Sequence, residues 1–128
     1  MAQFDEDAKR LAAMAYMEDI GSIDCDDIIS NREARVCYNL EFQRTDSLLN
    51  AKLKDYLTTY SNDSLKARFI EHHKSWIDYR RFQSKMYSRG NRGHFMGIRY
   101  LSAMTELSKL KIEELSTLMD EEEGLEDE

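Results

Sequence analysis

The chain contains no proline and only five glycines among its 128 residues, so little in it obliges a helix to kink or stop. Four of the glycines, Gly21, Gly90, Gly93 and Gly97, fall where turns or helix edges are expected. No apolar run approaches the roughly 20 residues needed to span a bilayer. The longest, Leu11 to Met17, is short and rich in alanine and methionine. A basic leader is missing too, because Asp5, Glu6 and Asp7 stand where its positive region would lie. There is no strand alternation and no internal repeat. A chain of this length makes one domain, expected over residues 1–119, followed by an acidic tail over 120–128.

The net charge of −7 is concentrated in that tail. Residues 120–128 hold seven acids, beginning with Asp120, Glu121, Glu122 and Glu123, and no base; the remaining 18 acids and 18 bases cancel. Residues 66–99 carry nine Lys and Arg against Glu71 and Asp78, whereas residues 1–65 carry thirteen acids against seven bases. The charge is therefore segregated along the chain. After Met119 the acidic run is expected to be frayed or disordered.

Helical periodicity dominates the rest. Phe4 and Asp5 read as a staple and an N-cap for a first helix of about four turns through Ala8, Leu11, Ala12 and Ala15 to Gly21. The Asp- and Ser-rich residues 22–31 make a turn, and Ser30 or Asn31 caps a long second helix through Val36, Leu40, Leu49, Leu53 and Leu57. Asp63 or Ser64 caps a third helix through Leu65, Phe69, Trp76 and Tyr87. A fourth runs from about Phe95 or Met96 through Leu101, Met104, Leu107, Leu110, Leu115 and Leu118. The expected fold is all-α, about four helices in an antiparallel bundle or helical hairpins.

Candidate chemistry is sparse. His72 and His73 are adjacent and point to different faces, with His94 beyond a turn, so no metal site is expected. Asp24-Cys25-Asp26-Asp27 lacks the glycine and terminal glutamate of a calcium loop. No nucleophile elbow, phosphate loop or Cys-His signature occurs, and a carboxylate pair such as Glu41 and Asp46 is what any charged helix shows. The turn Arg89-Gly90-Asn91-Arg92-Gly93-His94 is basic and leads into a helix, but reads more simply as a solvated turn. The expectation is a non-enzymatic protein without cofactor. The basic, aromatic-containing span 66–99 is the one feature suited to nucleic acid; an acidic pI and the need for Trp76 in the core argue against it. Cys25 and Cys37 would bridge in an oxidising compartment, or remain two free thiols in the cytosol.

The organising stretch is His73 to Arg80. Phe69, His73, Trp76, Arg80, Gln83 and Tyr87 share a helical face, and an arginine on such a face requires a carboxylate. Asp46, Leu49, Asn50, Leu53 and Leu57 form the matching face upstream. Two facing helices are expected, joined by a polar network of Asp46, Asn50, Trp76 and Arg80 whose role is structural.

The order Cys25, Cys37, Asp46-x-x-Leu49-Asn50, Trp76-Ile-x-Tyr79-Arg80, a glycine-containing turn and Thr105 leading to Leu115 resembles the lysozyme inhibitor LprI family, N-terminal domain, over about residues 24–118. The chain departs from the family pattern in lacking a second cysteine pair, near Phe82-Gln83 and at Tyr100, and in carrying Ser108 where an arginine is common. The resemblance implies a bridged Cys25–Cys37 pair, a small helical protein of the bacterial periplasm or envelope with its export signal removed, and inhibition of a lysozyme-type muramidase. The acidic residues Asp120, Glu121, Glu122 and Glu123 would steer such a basic partner, or serve only as a solubilising end. Tyr16 and Tyr38 are candidate interface anchors. Alternatives are an immunity protein neutralising a secreted toxin, a cytosolic helical adaptor, or a nucleic-acid-binding module.

Overall fold

The computed structural model describes the backbone of residues 4–126 and the side chains of residues 4–121. The described chain is helical without strands: α1 (Glu6–Ala12), a 3-10 segment (Ala15–Ser22), α2 (Asn31–Leu57), α3 (Asp63–Ser88) and α4 (Gly93–Glu126). At about 1.5 Å per residue, α4 extends about 50 Å and forms the spine. Both α2 and α3 pack along it, and α1 lies against α2. One core cluster joins Phe42 of α2 to Leu101 and Met104 in the first half of α4; the other joins Leu49, Leu53, Tyr56 and Leu57 to Leu115 further along. Chain direction therefore matches in α2 and α4, and α3 runs back between their ends.

The first helix is shorter than its periodicity predicts. Alpha-helical geometry stops at Ala12, and Met14 adopts an extended conformation (φ −65°, ψ 144°). The Leu11 carbonyl, which a continued helix would give to Ala15, accepts instead from Asn39 Nδ2 at 3.0 Å and from the Met14 amide. Asn39 is fully buried and also donates to the Tyr16 hydroxyl at 2.7 Å, so one α2 side chain holds both sides of the break. Local propensity favours a continuous helix; this buried amide overrides it.

Capping follows the expectations at one helix and departs at two. Ser30 accepts from the Glu33 amide at 3.2 Å. At α3 it is Asn62, rather than Asp63 or Ser64, that accepts from Ser64 and Leu65. Asp5 makes no capping bond; its carboxylate pairs with Lys9 instead. Phe4 is no local staple either, since it packs in the core with Leu49, Leu53 and Leu115. Helix α4 begins at Gly93, two residues before Phe95, and both Gly90 (φ 89°) and Gly93 (φ 58°) take the left-handed backbone that lets the α3–α4 turn close. The acidic run was expected to be a frayed tail. The backbone of α4 reaches Glu126, and the side chains after Glu121 and the whole of residues 127–128 lie outside the described residues.

The buried face of α3 differs from the apolar stripe. Gln83 and Tyr87 are exposed, and the face turned inward is His73, Arg80, Ser84 and Ser88. Small serines admit a neighbouring helix closely, and a hydrophobicity pattern does not flag them. Leu65 and Leu110, placed on core stripes by spacing, are exposed as well.

Candidate functional site

The inward face of α3 delivers Arg80 to the centre of the molecule, where it is 1% exposed. Arg80 Nη1 donates to Asp46 Oδ1 of α2 at 2.8 Å and to Ser108 Oγ of α4 at 3.0 Å; Nη2 donates to Asp7 Oδ2 of α1 at 3.0 Å. One guanidinium thus touches all four α-helices. Its carbon stands 5.1 Å from the Phe42 ring centroid and 5.0 Å from that of Trp76. These rings screen the ion pairs from water and supply cation–π attraction.

Asp7 is the more heavily coordinated acid. Besides Arg80 it accepts from Arg81 Nε at 2.8 Å and Arg10 Nη2 at 3.3 Å. Burial pushes its carboxyl up, but the two guanidiniums of Arg80 and Arg81 outweigh this and hold it below its ordinary value. Asp46 has Arg80 alone, and its Oδ2 has no hydrogen-bond partner. Burial therefore dominates there, and with Asp7 and Asp5 nearby its carboxyl is raised despite Arg80. Two acids on one arginine are displaced in opposite directions by the number of donors each receives.

His73 sits one turn before Trp76. It is fully buried, stacked on Trp76 (ring centroids 5.2 Å apart) and edge-on to Phe4 (4.7 Å), with neither ring nitrogen hydrogen-bonded. Burial first, then the positive charges of Lys111 and Arg80 and the neighbouring His72, lower its pKa to about 3. The imidazole is thus a neutral aromatic wedge at neutral pH.

The expected network is assembled in part. Asp46 and Arg80 meet directly, and Trp76 flanks the arginine. Asn50 is elsewhere: its Nδ2 donates to the Phe4 carbonyl at 3.3 Å and pins the chain entering α1. The arrangement is not a seam between two helices, because α4 packs on both and the long Arg80 side chain spans to α2. Asp7 and Ser108 were missed. Their signal was positional: Asp7 precedes Leu11 by four residues and Ser108 follows Met104 by four, so each shares a buried face with an apolar residue.

Cys25 and Cys37 form a disulfide (Cα–Cα 5.7 Å), tying the loop after the 3-10 segment to the first turns of α2. Asp120 and Glu121 are exposed on the last described turns of α4; the side chains of Glu122 and Glu123 lie outside the described residues. Tyr38 is exposed, whereas Tyr16 is half-buried under Arg35, whose guanidinium carbon lies 4.1 Å from its ring centroid. On the outer side of α3, Tyr79, Phe82 and Met86 recur at helical spacing and are all exposed.

These features define a small all-helical fold, clasped by one disulfide, whose central charged groups are engaged with one another rather than presented to solvent. The chain belongs to the lysozyme inhibitor LprI family, whose model matches residues 25–115, from the first cysteine to the buried Leu115. No curated protein and no solved structure matches it. No helix among the described residues is long and apolar enough to cross a membrane.

Proposed function

We propose that the protein is a non-enzymatic inhibitor of a lysozyme-type muramidase, acting in the periplasm or cell envelope. Family membership over residues 25–115 carries the reading, and the Cys25–Cys37 disulfide fits an oxidising compartment. The exposed stripe of Tyr79, Phe82 and Met86 supplies apolar contact area of the kind that anchors protein interfaces. The acidic end of α4, from Asp120 through Glu123, attracts a basic enzyme and raises its association rate.

The test is muramidase inhibition by the purified chain at low and moderate salt, with binding kinetics for two variants. Phe82→Ala is expected to weaken binding tenfold or more through faster dissociation, since truncating an interface anchor costs about 2 kcal/mol. Neutralising Asp120, Glu121, Glu122 and Glu123 to Asn or Gln is expected to slow association while leaving dissociation unchanged. Absence of inhibition at micromolar protein refutes the reading. A stoichiometric complex with a different secreted toxin would then make the chain an immunity protein.

A further inference from the structure

A cleft of about 850 Å³ opens at the end of the molecule where the α3–α4 turn meets the break after α1. Its apolar wall is made by Leu11, Met14, Tyr16, Met96, Tyr100 and Leu101, and its rim carries Arg35, Lys85 and Arg89 beside Arg10 and Arg81, which Asp7 already engages. The volume is that of a small-ligand pocket. Two of the cations, Lys85 and Arg89, are exposed and have no carboxylate partner among the described residues. Arg35 is held in place by the Tyr16 ring and by His94 Nδ1 at 3.4 Å, and its Nε is buried without a hydrogen-bond partner. Gly97 makes this possible, because a Cβ there would collide with the Arg35 guanidinium.

We infer that this cleft binds a single-tailed organic anion: an aliphatic chain seated on the methionine-lined wall, and a carboxylate meeting Lys85 and Arg89 at the rim. The pairing of an apolar wall with uncompensated positive charge selects for that chemistry. A neutral chain gains no attraction from the rim charges, and a cationic one is repelled. Unbranched methionines adapt to a flexible tail. The site is built from different side chains than the Tyr79–Phe82–Met86 stripe, so the inference stands independently of muramidase inhibition.

The experiment is calorimetric titration of the full chain with decanoate and with decyltrimethylammonium, both below their micellar concentrations, beside octanoate. Decanoate is expected to bind saturably, about fourfold more tightly for each added methylene over octanoate, and decyltrimethylammonium not to bind. Lys85→Gln with Arg89→Gln is expected to weaken decanoate at least tenfold while lowering the thermal midpoint by no more than a few degrees, since the two cations lose only their favourable placement at the C-terminal end of α3. Equal binding of the cationic chain, no dependence on chain length, or full affinity in the double variant would each overturn the inference. So would occupation of the cleft by an acidic peptide of sequence 120–128 in place of decanoate.

Discussion

Replacing Arg80 by alanine is the sharpest test of how the four helices are joined. The substitution deletes donors to Asp46, Ser108 and Asp7 at 2.8, 3.0 and 3.0 Å and empties the space between Phe42 and Trp76. The two acids then fare differently. Asp7 keeps Arg81 and Arg10, whereas Asp46 loses its only charged partner while 1% exposed. An uncompensated buried charge costs about 3–5 kcal/mol, which at this chain length lowers the thermal midpoint by about 15 °C. The loss should shrink between pH 7 and pH 5, because the orphaned Asp46, already raised with Arg80 present, becomes neutral by taking up a proton. Companion variants locate the effect: Asp7→Asn should cost clearly more than Asp46→Asn, since Asp7 meets three guanidiniums and Asp46 one. The assay is urea and thermal unfolding followed by circular dichroism. A midpoint within about 3 °C of wild type in Arg80→Ala, or equal costs for the two Asn variants, would refute the account.

Two further outcomes follow from the same geometry. His73 has a folded pKa of about 3 against 6.5 unfolded, so the unfolded chain binds the extra proton as pH falls through that window. Its stabilising contribution is complete above pH 6.5 and is lost on acidification, amounting to about 2 kcal/mol from pH 7 to pH 5. In His73→Phe that component of the urea-midpoint shift should vanish, and an unchanged pH profile would contradict the neutral-wedge assignment. Opening the Cys25–Cys37 bridge by the double serine variant should cost about 3 kcal/mol, the loop-closure entropy for a sequence separation of 12, as measured by the shift in urea midpoint relative to the oxidised chain.

The sequence by itself determined the helical class, the need of Arg80 for a polar partner on the Asp46–Asn50 face, and a cap for the second helix at Ser30 or Asn31. Each follows from information carried within a few turns: periodic apolar residues, the absence of proline, and a charged side chain on a buried stripe that requires an opposite charge. The family order of Cys, Asp-x-x-Leu-Asn and Trp-x-x-x-Arg was legible for the same reason, being linear.

Only the tertiary structure decided where α1 ends and which groups complete the polar centre. The break at Met14 is imposed by Asn39 from a different helix, and no property of residues 8–15 announces it. Asp7 and Ser108 reach Arg80 across 73 and 28 residues of chain. Their participation depends on helix placement around α4, and Asn50, equally well placed by spacing, is taken by the Phe4 carbonyl instead. Spacing fixes which face a residue occupies along its own helix; which neighbour that face meets is set by how the helices pack together, and that packing is a property of the whole chain.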